Sequence, residues 1–161
     1  MEKAFMDMVN SNRALIFKVC SLYCDDQEDR KDLFQEIVLQ LWRSFPHFRG
    51  QSSAGTWIYK VALNTAISNF RKETRKPGSK PLTTAELEIP DITSTRGDQE
   101  NNDVLKQAIG RLNNIEKAII LLYLDEKSYE EMSEIIGISI SNVGVKINRI
   151  KNKLSNLIKT Y

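Results

Sequence analysis

Histidine and cysteine are nearly missing from this 161-residue chain, which has one histidine, His47, and two cysteines, Cys20 and Cys24. A structural zinc site takes four ligands and usually a tighter cysteine pair than this one. The cysteines therefore read as buried free thiols and His47 as a surface residue, with no metal ligand among them. Long apolar runs are also missing. None approaches the ~20 residues that cross a bilayer, and the longest, Ala118–Leu124, reads as a core segment. The first ten residues lack the basic, apolar and small-residue order of a signal peptide, so a cytoplasmic location without membrane insertion is expected. No Gly-rich phosphate loop, histidine cluster or nucleophile constellation appears, so no catalytic residue, no cofactor and no enzyme activity are expected. Strand-like alternation is absent too, and apolar residues recur at helical spacing almost throughout.

What is present is unevenly distributed. The formal net charge is only +2, but residues 140–161 hold five basic residues and no acidic one. The stretch from Ser128 onward has the form of a helix-turn-helix. Ser128 is a good N-cap, with Glu131 three residues on to complete a capping box. Gly137 suits the left-handed end of the first helix, and Ser139 can cap the second. In that second helix Ile140, Val143, Ile147, Ile150, Leu154 and Leu157 make one apolar stripe. Ser141, Asn142, Val145, Lys146 and Arg149 lie on the other side, available to a DNA groove. Asn and Arg can bond base edges, whereas Lys mostly attracts phosphate.

Upstream, Phe5, Val9, Leu15, Phe17, Val19 and Leu22 predict a first helix over about 3–24. The cluster Asp25–Asp29 breaks it and supplies an N-cap and a negative first turn for the next. Leu33, Ile37, Leu41, Trp42 and Phe45 carry that helix to Pro46, with Trp42 expected in the core. Residues 46–55 have loop chemistry. Thr56, or a serine just before it, caps a third helix running to about residue 75. Residues 76–97 then hold three of the four prolines, which reads as a linker. The expected fold is all-α: two small helical domains, 1–76 and 98–161, joined by a flexible linker, 77–97, with a helix-turn-helix in the second.

Two stretches carry a family resemblance. Asp29–Lys72, with its Asp32-Leu33-x-Gln35-Glu36 core, its Thr56-Trp57 helix start and its Asn64-x6-Arg71 ending, resembles region 2 of a bacterial extracytoplasmic-function sigma factor. Leu112–Leu154 resembles region 4 of the same family. The resemblance implies a protein that directs core RNA polymerase to promoters, region 2 reading the −10 element and region 4 the −35 element. It implies as partners core polymerase (the clamp coiled coil of the largest subunit and the flap of the second), promoter DNA and, for many members, an anti-sigma factor.

Residue by residue, it assigns Asp32, Gln35, Glu36 and, on the same face, Gln40 to polymerase binding. It assigns Phe48, Arg49, Gln51 and Ser52 to a loop that captures a flipped −10 base, with Lys60, Asn64, Arg71 and Lys72 on the −10 helix. Ser141, Asn142, Lys146 and Arg149 fall to the −35 element. Trp57 is expected under the loop and Tyr59 exposed toward DNA. The chain departs from the family at Ala54, Ser68 and Gly144, the last standing where Lys or Arg is common. The rival reading is a helix-turn-helix regulator acting on duplex DNA without polymerase. It accounts for the C-terminus but leaves the N-terminal half unexplained.

Overall fold

Caps and breakers divide the chain into helices, beginning with an interruption that the apolar pattern hides. The structure, a computed structural model, describes residues 2–50, 52–75 and 96–159, and the side chains of 2–50, 52–69 and 103–159. Where one first helix was expected there are two, α1 (Glu2–Ser11) and α2 (Arg13–Tyr23). Asn12 separates them. Its side-chain amide donates to the Met8 carbonyl at 2.9 Å, in competition with the backbone ladder. The break lets Phe5 and Val9 of α1 and Ile16, Val19 and Cys20 of α2 all be buried.

Helix α3 (Gln27–Ser44) starts as expected. The Asp26 carboxylate accepts from the Glu28 N–H, and Glu28 and Asp29 place negative charge at the positive end of the helix. Pro46 lies in a single 3-10 turn, Phe45–His47, that ends it. Helix α4 (Ala54–Arg75) is capped by Ser53, whose hydroxyl accepts from the Thr56 N–H at 3.2 Å. Of the two expected cap candidates the serine serves. Thr56 is buried inside the first turn, its own hydroxyl accepting from Ser53 at 2.9 Å. Helix α4 packs on both α2 and α3.

The second group is α5 (Arg96–Gly110), α6 (Asn114–Leu124), α7 (Tyr129–Ile136) and α8 (Ile140–Lys159). No strand occurs among the described residues, and the fold is all-α. Helices α5, α6 and α7 each pack on α8. At α6, Asn113 and Glu116 form a reciprocal capping box: Glu116 N–H donates to Asn113 Oδ1 at 2.8 Å, and Asn113 N–H to Glu116 Oε1 at 3.0 Å. Ser128 caps α7 by accepting from the Glu131 N–H at 3.1 Å. Its hydroxyl also donates to the Glu131 carboxylate at 3.3 Å. Gly137 ends α7 at φ 83°, the left-handed conformation expected of it. Ser139 accepts from the Asn142 N–H and caps α8. Val143, Ile147, Ile150 and Leu154 are buried, but Ile140, expected in the same stripe, is 49% exposed. It stands in the first turn of α8, at the edge of the arc that α5–α7 cover.

The chain divides into two compact units, Met1–Glu86 and Leu87–Tyr161. The division falls within the expected linker. Residues 77–95 of that linker lie outside the described residues, and Arg96 and Gly97 already belong to α5.

Candidate polymerase and DNA interfaces

On α3 the apolar side chains turn inward and leave a polar face. Leu33, Ile37 and Leu41 are buried, Asp32 and Gln35 exposed, and Glu36 and Gln40 half-buried. Gln40 Nε2 donates to Glu36 Oε1 at 2.9 Å, so these two side chains brace each other. Two large apolar residues are exposed along the same helix, Leu39 at 41% and Trp42 at 42%. Trp42 is thus not the core residue expected. Leu41 takes the inward position, and Trp42, one step round the helix, lies at the margin with its ring edge-on to Phe5 at 5.0 Å.

That contact begins a chain of rings ending at the loop before α4. Phe5 meets Phe45 at 5.4 Å, Phe45 meets Trp57 at 6.4 Å, and Phe48 stacks on Trp57 at 4.6 Å. Trp57 underlies the loop as expected. Gly50 has φ 71°, a backbone conformation that side chains disfavour. Arg49 is exposed and Ser52 half-buried, while Gln51 lies outside the described residues. Lys60 and Asn64 are exposed four residues apart on α4. Arg71 and Lys72 continue the helix, but their side chains lie outside the description. Tyr59, expected to face DNA, has 0% exposure and is a core residue. Helix α4 packs on two others, and its buried arc takes the adjacent pair Ile58 and Tyr59.

On α8, Ser141, Asn142, Val145 and Arg149 are exposed and Lys146 half-buried. All lie away from the stripe Val143, Ile147, Ile150, Leu154. The five cations of this helix are not equivalent. Lys153 Nζ lies 3.0 Å from Glu116 Oε1, the oxygen that also closes the α6 capping box. Burial works against the Glu116 carboxylate, but the Asn113 N–H and the Lys153 and Lys146 charges outweigh it and hold its pKa below the ordinary value. Lys151 Nζ sits 4.4 Å from the Tyr123 ring centroid. Lys153 and Lys151 are therefore committed to α6, whereas Arg149 stands on the outward face beside Asn142. Sequence reasoning missed this clasp, although Asn113-x-x-Glu116 spells the capping box that positions it.

Gly144 is half-buried, and a Cβ there would meet only Tyr129 Cε2, at an ordinary 3.6 Å. Gly costs a helix interior about 1 kcal/mol relative to Ala. Gly144→Ala is therefore expected to raise the unfolding midpoint of the C-terminal unit by about 4–8 °C, measured by circular dichroism.

Among the described residues no helix is long and apolar enough to cross a membrane, and no cluster of three His, Cys, Asp or Glu forms a metal site. Cys20 is buried and Cys24 half-buried, both as free thiols, and burial pushes the Cys20 thiol up to about 11.

A helix-turn-helix unit joined in one chain to a second helical unit with an exposed polar face has the make-up of a two-module DNA-binding protein. The comparisons give the family. Residues 8–76 match sigma-70 region 2, and residues 102–154 match sigma-70 region 4. The chain is 27% identical to the ECF RNA polymerase sigma-E factor of Haemophilus influenzae, over 98% of this chain and 89% of that protein. It is 29% identical to RNA polymerase sigma factor YlaC of Bacillus subtilis, over 83% of this chain and 80% of that one. Among solved structures, the sigma factor RpoE of Bartonella quintana, in complex with the anti-sigma factor NepR, aligns with TM-score 0.76 at 20% identity over 98% of both chains. CnrH, in complex with the cytosolic domain of CnrY, aligns with TM-score 0.71 at 17% identity, over 99% of this chain and 90% of that one. The chain belongs to the extracytoplasmic-function RNA polymerase sigma factors, and it directs polymerase to promoters for transcription initiation. A regulator that works without polymerase is not favoured, because residues 8–76 then have no role.

Proposed function

We propose that the two units divide the work between them. Residues 1–76 dock on the clamp coiled coil of the largest polymerase subunit through Asp32, Gln35, Glu36 and Gln40. The same domain reads the −10 element through Phe48, Arg49, Gln51, Ser52, Lys60, Asn64, Arg71 and Lys72. Residues 98–161 lie against the flap of the second-largest subunit and read the −35 element through Ser141, Asn142, Lys146 and Arg149. Residues 77–97 link them. The chain acts as a cytoplasmic binding protein and not as an enzyme.

The observation that carries this reading is the outward face of α8, where exposed Asn142 and Arg149 oppose a fully buried stripe. Support for the −10 loop comes from Phe48, which has one ring face on Trp57 and is only half-buried. Stacking on an aromatic platform is how single-stranded bases are commonly held. Each grip is small, and tethering through polymerase raises the effective concentration of one once the other is engaged. An anti-sigma protein is a fitting further partner, since the solved RpoE chain of the same fold is held by one.

The test is run-off transcription with core polymerase on genomic promoters, paired with a gel shift with and without core enzyme. Specific initiation and a shift that requires core enzyme are expected. A specific shift by the chain alone, with no initiation, would overturn the reading.

A further inference from the structure

The outward face of α8 is polar except at one position. Val145 is 46% exposed, and it lies midway between the buried residues Val143 and Ile147 in sequence, which places it opposite the stripe. It stands four residues after Ser141, three after Asn142 and four before Arg149, all of them exposed. A β-branched side chain exposed there is a poorer helix former than Ala, Leu or Lys would be. The other large apolar residues exposed among the described residues of this unit are placed differently: Ile140 is in the first turn of α8, Ile158 in its last, and Leu124 and Tyr129 on α6 and α7.

A small branched aliphatic group between an amide and a guanidinium has one apolar counterpart in the major groove, the C5-methyl of thymine. We propose that Val145 reads a thymine methyl in the −35 element, adding van der Waals selection for a T·A pair to the hydrogen-bond readout of its neighbours. This inference rests on the assignment of α8 to the −35 duplex. On that footing Val145 is a specificity-determining residue of promoter choice. Its contribution is to exclude water from one methyl group, so the expected effect is modest and confined to one base pair.

The test uses the holoenzyme assembled from this chain and core polymerase, on a promoter from which it initiates. Each thymine of the −35 element, on either strand, is replaced in turn by deoxyuridine, which lacks only the methyl group. Binding is read by competition against the unmodified promoter. One position is expected to lose about fourfold in affinity, the scale of one buried methyl. In Val145→Ala holoenzyme, which keeps only the β-carbon, the same replacement is expected to have a clearly smaller effect. Alanine is the best helix former and the site is exposed, so this variant keeps its fold.

Insensitivity at every thymine in the wild type, an element without thymine on either strand, or a response undiminished in Val145→Ala would each overturn the proposal. A scrambled −35 element separates the two levels. If scrambling leaves binding unchanged, the assignment of α8 fails. If scrambling weakens binding but deoxyuridine does not, only the role of Val145 fails.

Discussion

Replacing Asp32 and Gln35 together with alanine is expected to lower the affinity for core polymerase by about two orders of magnitude while leaving the fold intact. Both side chains are exposed on α3, away from the buried Leu33, Ile37 and Leu41. Alanine at exposed helical positions favours the helix, so thermal unfolding should be unchanged or slightly higher. The loss at the interface follows from what truncation leaves behind. A central interface residue typically costs 1 kcal/mol or more when cut back, and a hot spot about 2 or more. Two such losses amount to about 3 kcal/mol, or roughly a hundredfold. Leu39 and Trp42 sharpen the expectation, because they expose apolar area along the same helix. Apolar anchors among polar side chains are the usual make-up of an interface core and its rim. Leu41→Ala is the contrasting variant: that side chain has 0% exposure, so its loss should destabilise the unit by about 2–5 kcal/mol. The measurement is a pull-down with core enzyme over a concentration series, beside a melting curve. Unchanged capture by the double variant would remove α3 from the docking surface.

Helix ends were legible in the sequence because capping is a local matter. Asp26, Ser53, Ser128, Gly137 and Ser139 each act within three or four residues, and each stands where its chemistry placed it. The interruption at Asn12 is just as local, but an asparagine inside an apolar pattern does not say whether its amide will turn on the backbone. The misplaced aromatics have a different cause. Periodicity gives the direction of the buried face, whereas the width of the buried arc depends on how the neighbouring helices lie against it. Helices α3 and α4 each pack on two others, yet α4 buries the adjacent pair Ile58 and Tyr59. On α3 the inward side is filled by Leu33, Ile37 and Leu41, so Trp42 is left at the margin. The candidate site was legible as a set of residue types on faces, but the ranking of its charges was not. The partner that occupies Lys153 is Glu116, 37 residues upstream on another helix.

That ranking makes Arg149→Ala and Lys153→Ala opposite experiments on two cations of one helix. Arg149 is exposed on the outward face with Asn142 and Val145, and in the proposed reading it makes a bidentate contact to a base edge. Its loss is expected to cost about 1–3 kcal/mol at promoters with an intact −35 element, roughly fivefold to 150-fold in open-complex formation. At promoters whose −35 element is scrambled, the same variant should change little. Lys153 already spends its charge on Glu116 at 3.0 Å. Its removal should alter promoter affinity by less than about threefold, with no change in sequence preference. The exposed ion pair should cost the fold no more than about 1 kcal/mol. Run-off transcription from matched and scrambled promoters, over a salt series, reads both variants at once. A phosphate-only role for Arg149 would weaken both promoters alike and flatten the salt dependence. A base contact weakens the matched promoter alone, because the discrimination it supplies exists only where the correct base pair is present.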